Sequence, residues 1–142
     1  MIEAGGSTGL AARAGRKGAA AILIVEDDAL VSGYIREVLE EAGFAVAGVA
    51  STGVEALTLA GACVPDLALV DVRLTGPMDG TEVALLLRDR LGVGSIFLTG
   101  HADPETMARA RAARPLGFLD KPFRPSQVFN ALQRALSRTV AG

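Results

Sequence analysis

From residue 20 onward, short aliphatic runs alternate with stretches in which apolar residues recur every three or four positions. Ala21-Ile-Leu-Ile-Val25 is continuously apolar and stops at Glu26-Asp27-Asp28, the pattern of a strand buried on both faces. Val31, Tyr34, Ile35, Val38, Leu39 and Ala42 then share one helical face, with Gly43 as the stop. Residues 44–50 predict a second strand, and Thr52-Gly-Val-Glu55 has capping-box spacing that opens a helix to about Ala62. After the break at Pro65, residues 66–71 predict a third strand. A loop over 72–78 leads to a helix from Asp79 or Gly80 to Leu91, with Val83, Leu86, Leu87 and Leu91 for its buried side. Residues 95–99 predict a fourth strand; Asp103-Pro104, a cap followed by Pro at the first helical position, opens a helix to Ala113. Residues 116–119 predict a fifth strand, and Pro125 begins a last helix carrying Val128, Leu132, Ala135 and Leu136.

Strands that alternate with amphipathic helices imply a parallel sheet covered on both faces, because parallel crossovers place helices there. The expectation is a doubly wound α/β domain of five strands and five helices over residues 20–142, with no second domain. Residues 1–19 carry five glycines and no hydrophobic period, and read as a flexible Gly/Ala-rich tail.

Composition removes several function classes. The chain has 142 residues, 50% hydrophobic and 21% charged, with a formal charge of −2, enough apolar content for a core without metal or disulfide staples. A single cysteine, Cys63, excludes an intramolecular disulfide framework and a Cys-based zinc site; it reads as a small buried hydrophobe near a helix end. Near-neutral charge, 4% aromatics and no Trp argue against direct nucleic-acid binding. No apolar run approaches the roughly 20 residues needed to span a bilayer, and the N-terminus has no signal-peptide core, so the expectation is a cytoplasmic protein without membrane contact.

The polar residues at the carboxyl ends of the strands hold the chemistry, since that is where open α/β sheets place their sites. Strand one ends in Glu26, Asp27 and Asp28, strand three in Asp71 and strand four in Thr99; Lys121-Pro122 follows strand five. Clustered carboxylates need a cation, and with hard oxygen donors alone Mg²⁺ is the natural candidate. A divalent ion, an ammonium and a hydroxyl around one carboxylate make a receptor for a phosphoryl group, with Asp71 as nucleophile.

These residues resemble the receiver domain of the two-component response-regulator family. The resemblance rests on Ile22-Leu-Ile-Val-Glu-Asp-Asp28, Leu69-Val-Asp71, Phe97-Leu-Thr99 and Gly117-Phe-Leu-Asp-Lys-Pro-Phe123, and covers nearly everything after the tail. It implies the flavodoxin-like strand order 2-1-3-4-5 and a phosphoryl group accepted on Asp71 from a histidine kinase or phosphotransfer protein. Asp27 would be a direct Mg²⁺ ligand with Asp71, Glu26 would act through water, and Arg73 would offer its backbone carbonyl. Thr99 and Lys121 match the family's hydroxyl and lysine, Phe118 its switch aromatic, and the Lys121–Pro122 bond is expected to be cis. Phosphorylation would reshape the face made by helix four, strand five and helix five, for partner binding, relay or a homodimer. Its chemistry would be confined to its own phosphorylation and dephosphorylation, as a stand-alone receiver whose downstream partner the sequence does not name.

The sequence departs from the family at the loop after the acceptor. Thr75 stands where a proline is usual, Pro77 comes late, and residues 74–80 run one residue long. Arg73 and His101 stand two residues beyond Asp71 and Thr99, positions that the resemblance implies border the phosphoryl group, and Phe118 lacks the hydroxyl of the family's commoner Tyr. His101 by itself reads as a polar loop residue, and Arg109, Arg111 and Arg114 as a solvated helix face. Three other readings compete. A phosphatase of the haloacid-dehalogenase type needs a second acid where Arg73 stands. A dinucleotide site needs a Gly-rich turn where three acids stand. A phosphorylation-independent binding module is the remaining alternative, disfavoured by the intact Asp71, Thr99 and Lys121.

Overall fold

Aliphatic runs become strands wherever helices can cover both sides of them. In the computed structural model, which describes residues 19–141, the strands are β1 (Ala21–Val25), β2 (Ala45–Ala50), β3 (Leu67–Asp71), β4 (Gly94–Thr99) and β5 (Gly117–Asp120). The helices are α1 (Ala29–Glu41), α2 (Gly53–Ala62), α3 (Gly80–Leu91), α4 (Pro104–Ala112) and α5 (Pro125–Ala141). All five strands are parallel, in the order β2-β1-β3-β4-β5. The tail expected over residues 1–19 lies, apart from Ala19, outside the described residues.

Alternation along each strand divides the core between two faces. Ile22, Ile24, Leu67, Leu69, Ile96, Leu98 and Leu119 meet α1 and α5 through Ile35, Leu39, Val128 and Leu132. Leu23, Val25, Ala68, Val70 and Phe97 meet α2, α3 and α4 through Ala56, Ala60, Val83, Leu87 and Ala110. Burying apolar area from both layers supplies the main driving force, at about 25 cal/mol per Å².

The element ends show local chemistry at work. Asp28 caps α1, its carboxylate accepting from the amides of Leu30 and Val31. Asp79 and Glu82 form a reciprocal capping box on α3, and Gly92 closes that helix at φ 69°. The box expected on α2 is half made: Thr52 accepts from the Glu55 amide, but the Glu55 carboxylate accepts from the amide and hydroxyl of Ser51. Asp66 falls just before β3 because its carboxylate accepts from the Ala21 amide at 2.7 Å, joining the starts of β1 and β3. Strand β4 begins one residue earlier than expected, since Gly94 pairs with Leu67.

Two expectations are corrected. Cys63 is exposed, not buried, because it caps the end of α2 in extended conformation and its side chain leaves the helix's apolar face. Arg109 is not simply solvated: its guanidinium pairs with Asp79, joining α4 to the start of α3.

Candidate functional site

The strand order reverses between β1 and β3, so their carboxyl ends open a crevice in which side chains from both can meet. Glu26 and Asp27 follow β1 and Asp71 ends β3; one carboxylate oxygen from each lies within 4.8 Å of the others. Backbone pairing fixes them there. The Glu26 amide donates to Ala50 and the Val72 amide to Leu98, extending the strand ladders past the elements themselves. The start of α3 presses close behind: an ideal Cβ on Gly80 would stand 1.9 Å from the Asp71 carbonyl oxygen, so glycine is required for that approach.

Lys121 bridges the two buried acids. Its ammonium lies 2.9 Å from Glu26 Oε1 and 3.2 Å from Asp71 Oδ2. The remaining oxygens accept from backbone, Glu26 Oε2 from the Asp28 amide at 3.1 Å and Asp71 Oδ1 from the Arg73 amide at 3.0 Å. Glu26 is 2% exposed and Asp71 7% exposed. Burial pushes the Glu26 carboxyl up to about 7, against the Lys121 and Asp28 hydrogen bonds, and the nearby Asp71 charge adds to the rise. Burial also acts to lower Lys121, but the bonds and charges of Glu26 and Asp71 outweigh it, and its pKa is raised. Lys121 is therefore a fixed cation, held where charge on Asp71 must be balanced.

Around this centre the other sequence-predicted residues take distinct places. The Thr99 hydroxyl donates to Asp120 Oδ1 at 2.8 Å. Phe118, 36% exposed, packs its ring against Phe97 with centroids 5.9 Å apart. Arg73 turns its guanidinium toward the His101 carbonyl, 3.3 Å away, joining the β3–α3 and β4–α4 loops. Asp28 is committed to capping α1 and stands outside the three-acid cluster. The Lys121–Pro122 bond is cis.

Two groups near the site escaped sequence reasoning. The Thr75 hydroxyl donates to Asp27 Oδ2 at 3.0 Å. Asp120 lay inside the Gly117–Phe123 motif, but its part in holding the Thr99 hydroxyl follows from its register with Thr99 across β4 and β5.

Three carboxylates against one ammonium leave the cluster anionic, and its donors are hard oxygens. That set fits a small hard cation such as Mg²⁺ and has none of the soft donors that select other metals. The fold and site together define a doubly wound α/β protein with an acidic, lysine-bridged pocket at its switch point.

Comparison with known proteins gives the family. The model of the response regulator receiver domain matches residues 22–133. The chain is 34% identical over 117 residues to the transcriptional regulatory protein PdtaR of Mycobacterium tuberculosis, covering 82% of this chain and 57% of that protein. It thus spans little more than half the length of that curated relative. Among solved structures, the receiver domain of a modulated diguanylate cyclase from Desulfovibrio desulfuricans G20 superposes with a TM-score of 0.84 at 36% identity, covering 87% of this chain and 98% of that one. A CheY-like receiver domain from Methanospirillum hungatei JF-1 gives 0.79 at 28% identity, covering 87% and 98%. The chain belongs to the response regulator receiver domain family of two-component signalling, and its acidic pocket is of the kind that serves these domains as phospho-acceptor site.

Proposed function

We propose that the chain accepts a phosphoryl group on Asp71 from a histidine kinase or a histidine phosphotransfer protein, in the cytoplasm, and that this switches a protein-binding surface. The observation that carries the reading is Lys121, whose ammonium lies 3.2 Å from Asp71 and 2.9 Å from Glu26. A buried carboxylate with a fixed cation beside it is set up to gain and hold a more highly charged group.

Asp71, Asp27 and the Arg73 carbonyl would hold Mg²⁺, with Glu26 acting through water. When bound, the ion supplies positive charge against the phosphoryl oxygens and the acidic cluster. A carboxylate oxygen of Asp71 attacks phosphorus of the phosphohistidine; the new O–P bond forms as the N–P bond breaks, and the electron pair leaves with the imidazole. Lys121 neutralises charge on the transferred group without giving up its proton. The Arg73 amide, already 3.0 Å from Asp71 Oδ1, keeps the carboxylate oriented. Thr99 then donates a hydrogen bond from its hydroxyl to a phosphoryl oxygen, and Phe118 repacks inward from its half-exposed position.

The surface that responds is α4, β5 and α5, available to a protein partner, to a further relay step or to a second copy of the chain. The mycobacterial relative is a transcriptional regulatory protein; such a role here would need an output beyond the receiver. The reading is tested by borohydride reduction after incubation with Mg²⁺ and acetyl phosphate. An acyl phosphate at residue 71 is reduced to homoserine, which peptide mass mapping detects. Unmodified residue 71 under conditions that phosphorylate another receiver overturns the reading.

A further inference from the structure

Thr99 and Asp120 face each other in register across β4 and β5, two rungs beyond a second cross-strand pair, Phe97 and Phe118. Alternation places both rungs on the same face of the sheet. Thr99 is 3% exposed, and its hydroxyl donates to Asp120 Oδ1 at 2.8 Å. The Lys121 amide, next along the chain, donates to the Thr99 carbonyl at 2.6 Å. Thr99 is thus held to the end of β5 through both backbone and side chain. A threonine hydroxyl has one proton to donate, and here an anionic acceptor already takes it.

We infer that Asp120 is a positioning residue for Thr99, a built-in anion that competes with the phosphoryl group for the hydroxyl proton and so holds the receiver in its resting arrangement. The inference rests on the reading that Thr99 serves a phosphoryl oxygen on Asp71. The exchange is balanced: the O–H···O bond to Asp120 breaks, an O–H···O bond to the phosphoryl oxygen forms, and the proton stays on Thr99. Asp120 is exposed, so water satisfies its carboxylate once the hydroxyl leaves, and the latch can open without stranding a buried charge. Because Phe118 lies two residues from Asp120 on the same strand face, release of Thr99 frees the rung beside the aromatic ring.

The test is beryllofluoride binding with Mg²⁺, followed by NMR, for wild type, Asp120→Ala, Asp120→Asn and each with Thr99→Ala. Removing the competing acceptor lowers the concentration for half-occupancy by about three- to tenfold, the worth of one ordinary hydrogen bond. Asp120→Asn, which keeps an acceptor oxygen, gives a smaller shift. In the Thr99→Ala background Asp120→Ala changes occupancy less than about twofold, since no hydroxyl remains to be contested. Equal shifts with and without Thr99 overturn the latch, because they would report the loss of a nearby negative charge and nothing more. If wild type and every variant fail to bind beryllofluoride, the phospho-receiver reading itself falls and the latch with it. Amide spectra of the free variants, matching wild type away from β4 and β5, establish that each is folded.

Discussion

The Thr75 hydroxyl donates to Asp27 Oδ2 at 3.0 Å, joining the loop after β3 to the acid that follows β1. A loop hydroxyl thus reaches a candidate metal ligand. Groups that orient ligating carboxylates commonly change metal affinity 10- to 100-fold when removed. Thr75 is exposed and Asp27 half-exposed, which places the effect at the low end. Thr75→Val should weaken Mg²⁺ binding by about tenfold, with Thr75→Ser close to wild type, as read by isothermal titration calorimetry. Equal affinity for all three would show that the hydroxyl does not position Asp27.

Removing Lys121 leaves two buried carboxylates without their cation. Lys121→Met should cost about 1–3 kcal/mol in denaturant unfolding near pH 8, discounted because the lysine side chain is 26% exposed. Added Mg²⁺ should restore part of the loss and bind more tightly than to wild type, because no ammonium competes for the acids. Loss of stability that Mg²⁺ leaves untouched would contradict this account of the pocket.

Glu26 makes metal binding pH-dependent. Its folded pKa of about 7 stands above the ordinary 4.5, so the folded protein binds this proton more tightly than the unfolded chain. The associated stability is fully present below about pH 4.5 and is lost as pH rises through 7. A cation that favours the ionised acid must displace the proton, so Mg²⁺ affinity should fall about tenfold from pH 7.5 to 5.5. Glu26→Gln should bind Mg²⁺ more weakly and flatten that dependence in calorimetry; an unchanged slope would assign it to another group.

Gly80 carries a backbone prediction. With an ideal Cβ at 1.9 Å from the Asp71 carbonyl oxygen, Gly80→Ala must push α3 away from the end of β3. Overpacking of this kind costs about 1–3 kcal/mol. Thermal unfolding should show that loss, together with displaced amide resonances for residues 71–73. Gly33→Ala, in the interior of α1 where a Cβ meets nothing within 4 Å, is the control: it should hold or slightly raise the unfolding temperature, as Ala does over Gly in a helix, and leave the resonances of residues 71–73 unmoved.

The fold was legible because each strand is an aliphatic run bounded by an acid, a Pro or a Gly, and each helix keeps one apolar face. The centre of the site was legible for the same reason: β1 and β3 stop at acids, and parallel strands bring their carboxyl ends together. What could not be read was pairing between distant side chains. Thr75 was visible as a departure in the loop, but the partner of its hydroxyl lies 48 positions away. Asp120 stood within a recognised motif, yet its role depends on register with Thr99, which local pattern does not specify. Cys63 was misplaced because composition says that cysteine is usually buried, whereas the end of α2 turns this one outward.

The central claim is that Asp71 is the acceptor, and intact-mass measurement after incubation with Mg²⁺ and acetyl phosphate tests it most directly. Wild type should gain the mass of one phosphoryl group, lose it on alkaline treatment, and gain none without Mg²⁺; Asp71→Asn should gain none at all. An adduct of equal size on Asp71→Asn, or none on wild type alongside a beryllofluoride complex that also fails to form, would contradict the account and leave a receiver fold that works by binding alone.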